Sequence, residues 1–312
     1  MQPWIIAHRG GAQLAPENTL AAFTSAVHRG CDGAELDVQL SRDGRVIVHH
    51  DFRLKEGLCR RKGRWIVSPT ALVKDLTLGE LRDFDVGRAQ PGSTYAREHA
   101  AVAWRDGEPI PLLEEVIAVA KTAPKPFHLF VELKTSFADS EASAGPEELA
   151  ERSVAAIEEH DYANCAVFVG FDWRGLIRAK ALAPHVRCWF TSLPSSWFGE
   201  GTPPPEDDPP PGPALQMLRL WARTGTSPWA AGHDAVRHGG SIIAAIKAAG
   251  GDGWFPYWRD VTAAAVREAR ILGLKIGCWT VNGADAMHAV AALGVDAICT
   301  DRPDLWSGRT GS

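Results

Sequence analysis

Residues 4–40 read WIIAHRGGAQLAPENTLAAFTSAVHRGCDGAELDVQL. Trp4 to Ala7 form a short apolar run of the kind that makes a buried strand. From Asn18 to Arg29 the apolar residues Leu20, Phe23 and Val27 recur at helical spacing, and Gly30 is a stop signal. A second strand follows at Gly33 to Leu40. Strand, helix, strand is the unit of a parallel sheet, because parallel neighbours need a crossover that a helix supplies. The alternation continues, with strands expected at 45–49, 128–134, 165–171, 187–192, 275–281 and 296–300 and a weaker one at 253–257. Helices are expected at 112–121, 146–160, 174–182, 261–272 and 284–293. About eight such units over about 250 residues is the size of an α/β TIM (β/α)8 barrel, and that is the expected fold. A doubly wound open sheet is the runner-up. Nine candidate strands compete for the barrel's eight places, so at least one is wrong or lies outside it.

Two stretches break the rhythm. Residues 52–110 show little periodicity and read as an insertion. Residues 194–240 contain TPPPEDDPPPGP, a stiff extended tract that cannot form core, with Trp189, Trp197, Trp221 and Trp229 beside it. This is expected as a second insertion packed on the outside of the barrel. The 312 residues, 45% of them apolar, are expected to form a single barrel domain over 1–312. The net charge is −5 and the longest cationic cluster, Arg60-Arg61-Lys62, reads as a solvated turn, so no nucleic-acid partner is expected. Six scattered cysteines without metal-type spacing read as small hydrophobes, not as a disulfide framework. The first apolar run lacks a basic leader, and no run approaches the length of a membrane span. The expectation is a cytoplasmic protein without integral membrane association, its oligomeric state open, a homo-oligomer included.

In such a barrel, chemistry gathers at the C-terminal ends of the strands. There the apolar strands turn charged: His8-Arg9, then Glu35 and Asp37, His49-His50-Asp51, Glu132 and Lys134, and late in the chain Trp279 to Asn282. Side chains two apart on a strand share a face, so Glu35 points with Asp37 and Glu132 with Lys134. Close-set carboxylates repel unless a cation lies between them. Oxygen ligands without thiols favour a hard divalent ion, Mg²⁺ or Ca²⁺, with Mn²⁺ also suited. Arg9 and Lys134 add positive charge to the same space, which suits a phosphate. His8 and His50 titrate near neutrality and are placed as a general acid–base pair. The inferred reaction is metal-assisted hydrolysis of a phosphodiester.

The stretches AHRGG, APENTLAAF, GAELDVQLSRDGRVIVHHD, IPLLEEV, VELK, GCWTVN and GVDAICTDRP follow one another in this order. Together they closely resemble the signature of the glycerophosphodiester phosphodiesterases, from position 4 to about 304. The resemblance implies a TIM barrel with a small insertion after the HD strand. It implies Glu35, Asp37 and Glu132 as ligands of one divalent cation, and His8 and His50 as the acid–base pair. Arg9 and Lys134 would contact the phosphate, and Trp279 would pack against the glycerol moiety. The PENT segment maps to Pro16–Thr19, with Asn18 expected as the N-cap of the first helix. Two departures bear on the alcohol accepted: Gly170-Phe171-Asp172 stands where the family often has Ser-Phe-Asp, and Leu54 to Arg60 replaces an arginine–threonine–threonine run.

The expected function is hydrolysis of small-molecule glycerophosphodiesters to glycerol 3-phosphate and an alcohol. One rival is phospholipase D-type hydrolysis of lysophospholipids or sphingolipids, with the tryptophan-rich 189–229 region serving a lipid tail. Another is a non-catalytic phosphate-ligand binding protein. The presence of both histidines and all three carboxylates argues against the latter.

Overall fold

The computed structural model describes residues 2–137 and 139–307. Eight parallel strands close into a barrel: β1 (Trp4–Ala7), β2 (Gly33–Leu40), β3 (His128–Leu133), β4 (Ala166–Gly170), β5 (Arg187–Thr191), β6 (Gly253–Phe255), β7 (Lys275–Cys278) and β8 (Ala297–Thr300). Each pairs with the next in chain order, and β8 pairs with β1 to close the ring. Alternate side chains point inward, so Ile6, Phe130, Val167, Val169, Trp189 and Phe255 fill the barrel. Their outward neighbours, Leu36, Val131, Phe168, Phe190 and Ile298 among them, pack beneath the helices in one continuous core. Each such side chain contributes about 1.5–3 kcal/mol by leaving water.

The α-helices of seven residues or more among the described residues are α1 (Leu20–His28), α2 (Leu113–Ala120), α3 (Pro146–Glu159), α4 (Trp173–Leu182), α5 (Gly212–Thr224), α6 (Ile242–Ala248), α7 (Ala263–Ile271) and α8 (Ala284–Leu293). None in the described residues is long and apolar enough to cross a membrane. Cys59, Cys188, Cys278 and Cys299 are buried, and burial pushes their thiols up.

The strand expected at 45–49 is the surplus one. Val46–Val48 runs antiparallel to β2, with Val48 opposite Val38, as the return arm of a hairpin. The turn between them is too short for anything else, since a parallel return needs a helix-length crossover. The weaker candidate at 253–257 supplies the eighth barrel strand instead, as β6.

Beyond the hairpin, a three-stranded sheet (Arg60–Arg61, Arg64–Trp65, Phe84–Asp85) folds over a small core of its own that includes Leu54, Val73, Leu81 and Val86. Of the Arg60–Lys62 cluster, Arg61 and Lys62 are exposed at the hairpin turn; Arg60 Nε donates to Asp85 Oδ2 at 2.9 Å, and Arg61 pairs with Asp83.

The segment 194–240 departs further from expectation. It contains α5, and Trp197, Trp221 and Trp229 pack against the main core. It joins the barrel rim rather than riding outside it: Trp173 N donates to the carbonyl of Trp229 at 2.8 Å. The proline tract is pinned by a polar contact, Tyr257 Oη donating to the buried Asp207 Oδ1 at 3.1 Å.

Candidate active site

Strand register assembles the site. Ala7 pairs with Ala34 on one side and Thr300 on the other, so the chain leaving β1 emerges between Glu35 and Asp301. Across β2, Asp37 pairs directly with Glu132. His8 and Arg9 do not continue the strand but form a 3-10 turn, His8–Gly10, in which Arg9 (φ 49) and Gly10 (φ 83) are left-handed. A Cβ on Gly10 would lie 2.6 Å from Ala22 Cβ, so only glycine lets this turn pack on α1. His50 arrives by the hairpin. His49 N donates to the Asp37 carbonyl at 2.9 Å. The buried amide of Gln39 donates to the carbonyls of His49 (2.8 Å) and Asp51 (2.9 Å), which fixes the loop beside β2.

The carboxylates of Glu35, Asp37 and Glu132 offer oxygens that all lie within 4.8 Å of one another. Glu35 Oε1 and Asp37 Oδ1 are buried with no hydrogen-bond partner among the described residues. Burial, and next the charge of Asp37, pushes the Glu35 carboxyl up. Burial also resists ionising Asp37, but His50, Arg9 and Lys134 hold it well below the usual carboxylate range. One member of the pair is thus forced towards neutrality because nothing inside the cluster offsets both charges. Positive groups line the edge instead. Arg9 Nε lies 3.3 Å from Asp37 Oδ2, and its Nη1 lies 3.2 Å from Glu17 Oε1. Lys134 Nζ lies 2.9 Å from Glu132 Oε1 and 3.6 Å from Asp37 Oδ1.

Each histidine leans on its own carboxylate. His8 Nδ1 lies 2.6 Å from Asp301 Oδ1, and its Nε2 lies 3.8 Å from Glu35 Oε2. His50 Nδ1 lies 2.8 Å from Asp51 Oδ1. An ionised carboxylate only accepts, so both rings hold a proton on Nδ1 and have Nε2 left for other chemistry. Burial opposes charging His8, yet Asp301, by its charge and its hydrogen bond, acts with Glu35 to bring the net direction up. His50 goes down, through burial and the nearby charges of Lys134 and Arg9. His49 is almost fully buried, and burial pushes it down.

Seven of the eight sequence-derived residues therefore gather on the β1–β3 side. Trp279 stands across the mouth, just after β7, where its ring meets Phe171 edge-on at 5.5 Å and Tyr257 at 5.6 Å. Its Nε1 donates to the Phe255 carbonyl at 3.0 Å, so what it presents is carbon surface. Asn18 is not the cap of α1. Thr19 is, its Oγ1 accepting from Ala22 N, while Asn18, with φ 55, turns back and donates to Asp37 Oδ2 at 2.8 Å. Asp172 of the departing Gly-Phe-Asp motif caps α4, its Oδ1 accepting from Arg174 N.

Sequence reasoning missed Asp301, and so the partner of Asn282, whose Nδ2 donates to Asp301 Oδ2 at 2.7 Å. A carboxylate directly after the last expected strand was the available signal. It also missed Glu17, which accepts from Tyr95 Oη of the 52–110 segment and so ties that segment to Arg9.

Residues 8–305 match the model of the glycerophosphoryl diester phosphodiesterase family. A glycerophosphodiester phosphodiesterase of Caldanaerobacter subterraneus is 27% identical over 304 residues, covering 97% of this chain and 96% of that one. A crystal structure from Silicibacter pomeroyi, of a provisionally named glycerophosphoryl diester phosphodiesterase, superposes with a TM-score of 0.76 at 28% identity. It covers 97% of this chain and 91% of its own. The fold is shared too with an Oleispira antarctica phosphodiesterase solved with its product sn-glycerol-3-phosphate (TM-score 0.65, 23% identity, 97% and 94% covered). With a family model spanning nearly the whole barrel, this chain belongs to the glycerophosphoryl diester phosphodiesterase family and is an enzyme of that family.

Proposed function

We propose that this chain hydrolyses glycerophosphodiesters to glycerol 3-phosphate and an alcohol, with one divalent cation held by Glu35, Asp37 and Glu132. The observation that carries the reading is the cluster of three carboxylates, two of whose buried oxygens lack any hydrogen-bond partner. Buried acceptors are normally satisfied, so two orphans in one cluster fit ligand atoms for a cation. All-oxygen ligation suits Mg²⁺ or Ca²⁺, and Mn²⁺ is compatible. Such an ion, when bound, would polarise the phosphoryl oxygens and offset negative charge developing on them.

The remaining work falls to the chain's own residues. Arg9 and Lys134 bind phosphate oxygens beside the cluster. Of His8 and His50, one takes the proton from the attacking oxygen through Nε2 and the other delivers a proton to the leaving alkoxide. Asp301 and Asp51 hold the two rings in the tautomer that makes this possible. Trp279 presents its ring to the glycerol carbons. Release of glycerol 3-phosphate from a panel of glycerophosphodiesters, with and without EDTA, tests the reading in wild type and His8→Ala. Both treatments should abolish release; hydrolysis that survives both removes the metal–histidine mechanism.

A further inference from the structure

A cavity of about 350 Å³ lies between the 194–240 segment and the rim after β4, β5 and β6. Its walls are aromatic: Phe171, Trp173, Phe198, Trp229 and Trp254. Two of the indoles have already spent their N–H groups, Trp173 Nε1 on the Thr191 carbonyl (2.9 Å) and Trp254 Nε1 on Ser192 Oγ (2.9 Å). What they offer a ligand is carbon and π surface. Phe171 belongs both to this wall and to the mouth, since its ring also meets Trp279.

A purely apolar cavity would suit a hydrocarbon tail, but this one carries two carboxylates. Asp234 and Asp260 line it together with the imidazole of His233, and among the described residues no lysine or arginine does. Asp260 is committed, both of its oxygens accepting from Ser195. Asp234 is not: it is 4% exposed, its Oδ1 accepts from Ser227 N at 3.1 Å, and its Oδ2 is buried without a partner among the described residues. Such a carboxylate is costly to bury unless something positive comes to it. Aromatic faces around a counter-charge are the chemistry that recognises methylated ammonium groups, which are too poorly hydrated to demand hydrogen bonds.

We propose that this cavity is the subsite for the alcohol half of the substrate, and that it takes an organic cation of the quaternary-ammonium class. The assignment to the alcohol half rests on the phosphodiesterase reading above; the cation site itself does not. Choline titrated into the wild-type protein should quench tryptophan fluorescence to saturation. The neutral isostere 3,3-dimethylbutan-1-ol should bind about tenfold more weakly, the scale of one desolvated cation–π or charge contact. Asp234→Asn should weaken choline by a similar factor and leave the isostere unchanged. In turnover, KM for glycerophosphocholine should lie below KM for glycerophosphoglycerol, and the variant should narrow that gap.

Equal binding of choline and its isostere overturns the proposal, and that comparison needs no variant to fold. So does a lysophospholipid that binds far better than choline and is indifferent to Asp234→Asn, since the cavity would then hold a tail. Hydrolysis of glycerophosphodiesters without any choline effect removes the pocket assignment alone. Choline binding without hydrolysis of any glycerophosphodiester removes the phosphodiesterase reading and leaves the cation site standing.

Discussion

The two halves of the barrel mouth are built from the same strand ends and yet share almost no chemistry. On the β1–β3 side, titratable side chains at the rim are locked to one another: Arg9 to Glu17 and Asp37, Lys134 to Glu132, His8 to Asp301. On the β4–β7 side the rim carries Phe171, Tyr257 and Trp279, ring against ring. Charged groups hold geometry through directional bonds that lose strength steeply when misplaced. Rings hold shape and exclude water but tolerate a shift. The first half is therefore suited to reaction and the second to selecting what reacts, and substitutions on the two sides should separate turnover from binding.

The largest effects belong to the charged side. His8→Ala and His50→Ala should each lower kcat about 10²–10⁴-fold, the usual worth of a positioned acid or base. If one leaves kcat intact, the two-histidine division fails. Next, Mg²⁺ or Ca²⁺ at a hundredfold excess over Kd should stabilise the wild type by about 2.7 kcal/mol. Glu35→Gln should lose that gain in thermal melts. In EDTA the same variant should melt no lower than wild type, because it removes a carboxylate that burial and Asp37 push up.

Asp301→Asn should cost about 10–100-fold in activity, as loss of an orienting partner does. Its pH profile distinguishes orientation from simple damage. Asp301 is the main influence raising His8 against burial, so its removal should shift the His8 limb of the profile to lower pH.

On the aromatic side, Trp279→Leu should raise KM by about tenfold with kcat near wild type, as expected where ground-state and transition-state binding are lost together. A fall in kcat instead would place Trp279 in the chemistry and blur the contrast.

The smallest effect lies at the opposite end of the barrel. His128 stacks on Trp4 at 4.0 Å, and burial, then Arg187, lowers it to about 4. Its neutral form is the one the fold prefers. Its contribution to stability is thus complete above pH 6.5 and is lost as pH falls from there towards about 4. Denaturant melts at pH 7, 5 and 4 should show that slope in wild type and a shallower one in His128→Gln.

Much of this was legible beforehand, and the failures have identifiable causes. Residues 45–49 hold a short apolar run like a barrel strand, and such a run alone does not distinguish a hairpin arm from a crossover strand. The short turn holding Asp43-Gly44 did carry the hairpin signal. Helix α5 lay in the shadow of the proline tract that precedes it, although its Pro213 is well placed in a first turn. Asn18 looked like a cap because asparagine caps helices well, but Thr19 beside it serves equally, which freed Asn18 to bind Asp37.

Taken by itself, the sequence determined the parallel alternation and the charged residues at the strand ends, because both follow from local spacing. A period of two places Glu35 with Asp37 whatever lies around them. Only the tertiary structure decided which distant partners meet: Asp301 on His8, Tyr95 on Glu17, and Asp234 among the rings of the rim cavity. Closing the ring brings β8 against β1, and a register of that kind is a property of the whole barrel, not of either strand.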